Sequence, residues 1–321
     1  MRRWKWWRWL VCASGWVALV YVFFLAFVTL VSLTDPSLTR VYSPPTDVVG
    51  ARGTWGWASR RLGRGARLPW CQPLRWRDPP GPVTALVSFP GSGNTWIRYL
   101  LQQVTGYYSG SVYKDYALMK NGFPAESVFN GSVVVVKTHE WGPEMRKSFS
   151  RAVLVIRDPY LAIQAEFNRQ SGGHIGHAQP DKYMRDGGRY WEKFVTTKAL
   201  AWMNTTLDWL KFEGPLHLVF YEDLLDNLPE EMRRILEFLD LDVSESNFGC
   251  MMRHLDGIYK RRKRPLNFDP FTPKLRALVD RCKHLVERAV REVLAGGDVN
   301  LVLNNMNSSN FSTGNHNPIV R

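Results

Sequence analysis

Residues 83–96 read V-T-A-L-V-S-F-P-G-S-G-N-T-W, and this stretch decides the fold. Residues 83–89 are apolar with two small polar interruptions, a composition that suits a buried strand. Pro90, Gly91, Ser92 and Gly93 force a tight turn, and Asn94 and Thr95 open a helix that continues through Trp96. A strand, a glycine-bearing turn and a helix start bring several backbone N–H groups around one point. The glycines permit close backbone approach, and the positive end of the helix dipole favours an anion there. Taken alone, the motif is equally an ordinary βα turn.

Working outward, strand-like runs recur at 132–136, 152–156 and 216–221, with helical stretches between and after them. Helices are read at 189–212, 230–239 and 272–294. The alternation predicts an α/β fold, a P-loop-like parallel sheet with helices on both faces. Ligands of such sheets sit beyond the carboxyl ends of the strands. Each run is followed there by residues that carry chemistry. Lys137 and His139 follow the second run, Arg157 and Asp158 the third, and Tyr221, Glu222 and Asp223 the fourth. An imidazole titrates near neutrality and suits a general base. An arginine at a strand end offers a planar fork to a phosphate, or else pairs with Asp158. Glu222 and Asp223 read as caps of the next helix. His174 and His177 sit in a loop without a Cys, Asp or Glu partner at metal-ligand spacing, so the loop is expected to face an acceptor and no metal is expected.

The turn is not a Walker A loop, which needs a Lys after its last Gly. It resembles the 5'-phosphosulfate loop of sulfotransferases that use 3'-phosphoadenosine 5'-phosphosulfate (PAPS): Phe89, Pro90, Ser92, Gly93, Thr95 and Trp96 match their pattern. Gly91 stands where cytosolic members carry a catalytic Lys. The other strand ends match in order over about 83–302. The resemblance implies that Gly91, Ser92, Gly93, Asn94 and Thr95 hold the 5'-phosphosulfate, that Trp96 and Tyr221 flank the adenine, and that Arg157 binds the 3'-phosphate. It implies His139 as the base and Lys137 as the residue that steadies the transferring group. The family's 3'-phosphate Ser falls on Ala165 here, so Arg169 or backbone is expected to replace it. The run Lys260, Arg261, Arg262, Lys263, Arg264 matches the family's closing basic segment in position and charge only. With Arg157-Asp-Pro-Tyr and Ala165-Glu-Phe-Asn-Arg, the domain is most similar to that of WSC-domain-containing sialate O-sulfotransferases, without their WSC modules.

The chain has 321 residues and a formal net charge of +13, which suits one anchored catalytic domain with an anionic partner. Residues 10–33 carry no charge and can span about 30 Å of hydrocarbon. Arg2, Arg3, Lys5 and Arg8 precede them, which by the positive-inside rule leaves 1–9 in the cytosol and the rest in the lumen. A cleaved signal peptide would have a shorter apolar run and a small-x-small site. Residues 34–82, dense in Pro, Gly and Arg, read as a stem, 83–302 as the catalytic domain and 303–321 as a disordered tail. Asn130, Asn204, Asn307 and Asn310 head glycosylation triplets. Among Cys71, Cys250 and Cys282, the pair nearest in sequence is Cys250–Cys282, which leaves Cys71 free, though nothing fixes a pairing.

The expected protein is therefore a type II Golgi membrane sulfotransferase that uses PAPS without a metal. Its expected acceptor is a glycan hydroxyl, sialic acid being one candidate; nucleic acid is not a partner, and a homodimer stays open. Two other classes remain: a nucleoside triphosphatase, which lacks its Walker Lys and metal acids here, and a catalytically silent membrane-anchored glycan- or nucleotide-binding protein.

Overall fold

Five parallel strands in the order β2-β3-β1-β4-β5 form the sheet. The computed structural model describes residues 69–257, 259, 261 and 264–300. The cytosolic tail, the apolar run 10–33, most of the stem, the C-terminal tail, Asn307 and Asn310 lie outside the described residues, as do Lys260, Arg262 and Lys263. Among the described residues no helix is long and apolar enough to cross a membrane.

The strands are β1 (Thr84–Ser88), β2 (Gly110–Ser111), β3 (Val136–Thr138), β4 (Arg151–Ile156) and β5 (Leu216–Phe220). The helices, in chain order, are α1 (Asn94–Thr105), α2 (Tyr116–Lys120), α3 (Pro143–Lys147), α4 (Pro159–Gly172), α5 (Pro180–Met184), α6 (Arg189–Trp209), α7 (Tyr221–Asp226), α8 (Leu228–Phe238), α9 (Glu245–Arg253) and α10 (Pro273–Leu294). β1 is buried along its whole length, as a central parallel strand with both faces covered should be. Alternate residues feed two cores. Ala85 and Val87 pack with α4, α6 and α10, and Leu86 packs with α1, α8 and α9. The predicted fold class stands in its α/β, parallel-sheet part.

Three elements differ from the expectation. The second run does not end before Lys137. Its valines are buried, but the ladder starts at Val136, where Ala85 is the partner, and Lys137 lies within the strand opposite Leu86. The two-residue edge strand β2, carried by Gly110 and Ser111, has no counterpart in the expectation. Glu222 does not cap α7. Its carboxylate accepts the backbone N–H of Asp158 at 3.2 Å, joining the ends of β4 and β5.

The cysteine pairing is corrected as well. Cys71 is bonded to Cys250, and Cys282 is free and buried. Cys282 on α10 faces one core and Cys250 on α9 flanks the other, so nearness in sequence does not bring them together. Residues 69–82, read as stem, are tied to the domain at this side. The Cys71 N–H donates to the Gln103 side chain at 2.9 Å, and Trp70 packs on Tyr99.

Candidate active site

The chain leaves β1 toward β2 and leaves β4 toward β5, on opposite sides, so a crevice opens between the carboxyl ends of β1 and β4. The turn after β1 lines it. Gly91 and Gly93 both have left-handed backbone, with φ of +86° and +92°. A Cβ on Gly93 would lie 2.6 Å from the Tyr221 ring. A Cβ on Gly91 would lie 2.7 Å from the Ala162 carbonyl oxygen and 3.1 Å from the Ala165 Cβ. Gly91 and Ala165, two of the departures from the pattern the loop resembles, meet here as one feature. α4 closes directly onto the turn and leaves room for no side chain at 91.

No side chain caps the N-terminus of α1. The Asn94 amide, one obvious candidate, is turned back and donates to the Leu86 carbonyl at 2.8 Å and to Ser88 Oγ at 3.3 Å. Both amide N–H contacts are therefore spent inside the domain, while the backbone N–H at the helix start has no side-chain cap and Oδ1 has no partner among the described residues. The Ser92 hydroxyl is buried with no partner among the described residues. Thr95 opens the helix beside it. Trp96 donates its indole N–H to the Leu255 carbonyl at 2.7 Å, which fixes its ring edge-on to Tyr221.

Arg157 leaves β4 and donates from Nη1 to the Gly91 carbonyl at 2.7 Å, with its guanidinium 4.3 Å from the Tyr221 ring centroid. Its Nε is buried, with no partner among the described residues. Asp158 does not pair with it. That carboxylate caps α4 and accepts from Lys283 at 2.7 Å. Arg169 is spoken for too, by a two-pronged contact with buried Glu166 at 2.6 and 2.8 Å. The residue that reaches Ala165 is Arg261, whose Nη1 donates to the Ala165 carbonyl at 3.2 Å while its Nη2 binds the carbonyls of Gly173 and His174. Arg261 Nε is also buried, with no partner among the described residues. Five consecutive basic residues gave sequence reasoning no means of choosing it. Burial disfavours the charge on both Arg157 and Arg261, and the charges of Arg157 and Arg169 lower the proton affinity of Arg261 further. Unpaired buried donors and like charges that face one another are what an anion satisfies.

β3 supplies the other side. His139 Nδ1 lies 2.7 Å from the Ser88 carbonyl, so this nitrogen carries the hydrogen and Nε2 keeps its lone pair. Burial first and the Lys137 charge second hold the imidazole down to about 3, so it is neutral at ordinary pH. The Lys137 side chain is buried, and no carboxylate among the described residues lies within ion-pair distance of it. Burial and the Arg98 charge lower it to about 8. Loop, base and cation therefore stand on the adjacent strands β1 and β3, with Arg157 on β4 at the other flank. His174 binds Asp115 at 2.9 Å, a partner from a distant loop that spacing could not reveal. Among the described residues one cluster has the spacing of metal ligands, Cys71, Cys250 and His254, and its two thiols are joined to each other.

Comparison with known proteins shows which family the chain resembles. The family described as "Sulfotransferase domain" matches residues 82–272. A WSCD family member of Aedes aegypti is 46% identical over 294 residues, covering 82% of this chain and 90% of the relative. A WSCD family member of Drosophila melanogaster is 53% identical over 205 residues, covering 64% of this chain and 65% of that one. Among solved structures, mouse sulfotransferase SULT7A1 complexed with PAP superposes with a TM-score of 0.46 at 17% identity, covering 67% of this chain and 86% of that chain.

Proposed function

The chain belongs to the sulfotransferase-domain family, and from that premise we propose that it moves a sulfuryl group from PAPS to a hydroxyl of a glycan. One observation carries the reading of the site. Three buried donors without acceptors, Ser92 Oγ, Arg157 Nε and Arg261 Nε, surround a turn that leads into an uncapped helix. Beside them stands a neutral imidazole with its outer nitrogen unprotonated. That set fits a doubly phosphorylated nucleotide at one end and an attacking hydroxyl at the other.

The backbone of Gly91, Ser92, Gly93, Asn94 and Thr95 holds the 5'-phosphosulfate, and Trp96 and Tyr221 flank the adenine. Arg157 grips the 3'-phosphate, and Arg261 takes the place of the missing Ser. His139 Nε2 receives the acceptor proton as the sulfuryl group moves in line between the two oxygens. Lys137 stabilises the charge on the sulfuryl oxygens, aided by the loop N–H groups. A Lys at position 91 has no part in this scheme, and α4 leaves no room for one. Sialic acid is one candidate acceptor. The apolar run 10–33 with its basic flank supports a type II Golgi membrane protein, and the Cys71–Cys250 bond and exposed Asn130 and Asn204 support a lumenal domain.

The test is transfer of radiolabelled sulfate from PAPS by the full-length protein to a panel of glycans. Label on at least one glycan is expected; nucleotide binding without transfer to any would favour a silent binding protein. Arg157→Ala should weaken binding of the nucleotide about 30-fold or more, since it removes one partner of a buried charged contact. Calorimetry that finds an unchanged Kd would remove Arg157 from the site.

The pH dependence follows from Lys137. Its folded-state value of about 8 lies below the ordinary lysine value, so the free enzyme loses this charge as pH rises through 8. kcat/KM should accordingly fall above about pH 8. Lys137→Arg, which stays charged, should lack that alkaline limb. A limb of equal position in the variant would show that another group titrates.

A further inference from the structure

The edge strand β2 has a consequence at the base. After Ser111 the ladder runs on by one bond, from the Val112 N–H to the Lys137 carbonyl at 3.0 Å. The next N–H, that of Tyr113, is held by Ser111 Oγ at 3.0 Å. The Tyr113 side chain is thereby laid across the carboxyl end of β3. Its hydroxyl accepts the His139 backbone N–H at 3.0 Å and donates to Glu140 Oε1 at 2.8 Å. Its ring lies over the His139 imidazole, with centroids 5.7 Å apart and planes 29° from parallel. The Lys137 ammonium sits 5.4 Å from the same ring centroid.

We propose that Tyr113 is a positioning residue for the transfer reaction, its ring holding His139 and Lys137 in one stack and its hydroxyl fixing the backbone from which His139 projects. The inference rests on the reading of His139 and Lys137 given above. Aromatic faces carry negative potential that favours a cation, and offset rings hold one another in orientation. A base displaced by about 1 Å loses on the order of a hundredfold in rate. Neither property is visible in the sequence, where Tyr113 lies in an unremarkable Gly-Ser-Val-Tyr-Lys run.

Two substitutions separate the two roles of the side chain. Tyr113→Phe keeps the ring and loses the hydroxyl. It should lower kcat about tenfold, leave the KM for PAPS within twofold and leave the alkaline limb in place. Tyr113→Leu removes the ring. It should also move the limb to lower pH by about half a unit, because the ammonium loses its aromatic face. The other charges near Lys137, those of Arg98, Glu126, Asp115 and Arg169, are the same in both variants, and so are His139 and Glu140.

A second measurement needs no turnover. Nitrogen-15 histidine NMR of the full-length protein should show His139 as the Nδ1–H tautomer in the parent and a tautomer mixture in Tyr113→Leu. Carbon-13 lysine NMR should show Lys137 titrating lower in that variant. Should Tyr113→Leu fail to fold, Tyr113→Phe still tests the kcat effect. Folded variants with parental kcat, tautomer and Lys137 titration would overturn the proposal. A parent that transfers no sulfate would instead overturn the reading of the site, and the NMR would still decide whether Tyr113 holds the pair.

Discussion

His139→Ala is expected to lower kcat by about 10²- to 10⁴-fold, the usual worth of a positioned general base, with nucleotide affinity nearly unchanged. The geometry sets this expectation. Nδ1 is committed to the Ser88 carbonyl at 2.7 Å, so Nε2 is the nitrogen able to take a proton. Burial and Lys137 keep the ring neutral down to about pH 3, and kcat/KM, which reports the free enzyme, should show no acid limb from this residue between about pH 4 and 7. A bound polyanion brings the opposite field and raises the proton affinity of the ring, which suits a base that must accept a proton during transfer. The same shift has a stability consequence. The unfolded chain protonates this imidazole near its ordinary value of about 6.5 and the folded chain only near 3. The unfolded state thus binds more protons across that window, so stability falls as pH falls through it. His139→Ala should flatten that part of the curve. A variant that transfers sulfate at the parental rate would remove His139 as the base.

Cys71→Ser is expected to cost about 2–5 kcal/mol of stability and to lower Tm by about 5–15 °C under oxidising conditions. The bond closes a loop with a sequence separation of 179, so it constrains much of the unfolded chain. It also clamps α9, which leads into the Leu255 carbonyl that receives the Trp96 indole and, beyond it, into Arg261. Reductant should lower the Tm of the parent by a similar amount and leave the variant unmoved. Peptide mapping without reduction should recover Cys71 joined to Cys250. A Cys250–Cys282 peptide, or a variant as stable as the parent, would contradict the pairing.

How much of this was legible in the sequence depended on scale. β1, β4 and β5 announced themselves because each is an apolar run that ends in a polar residue of distinct chemistry. α10 was found within one residue because Thr272 caps it and Pro273 opens it. β2 was hidden because two residues have no periodicity. β3 begins later than its apolar run because Val134 and Val135 bond the backbone only toward Tyr108 and Gly110, while pairing with β1 starts at Val136, and apolar composition reports burial rather than where regular pairing starts. In the site, His139, Arg157 and the turn were found because each follows a strand, and Lys137 because it directly follows an apolar run. Arg261 and Tyr113 were not, since their partners lie far away in sequence. The departures at Gly91 and Ala165 looked like two separate losses, and only packing shows them as a single contact.

The course of α1 has one more implication. Its first residue borders the turn proposed to hold the anion, and its last turn carries Gln103 and Val104, which bind the described N-terminal segment through Cys71 and Gln72. Twelve helical residues span about 18 Å. The contacts of Cys71 and Gln72 and the turn after β1 therefore sit at the two ends of one helix.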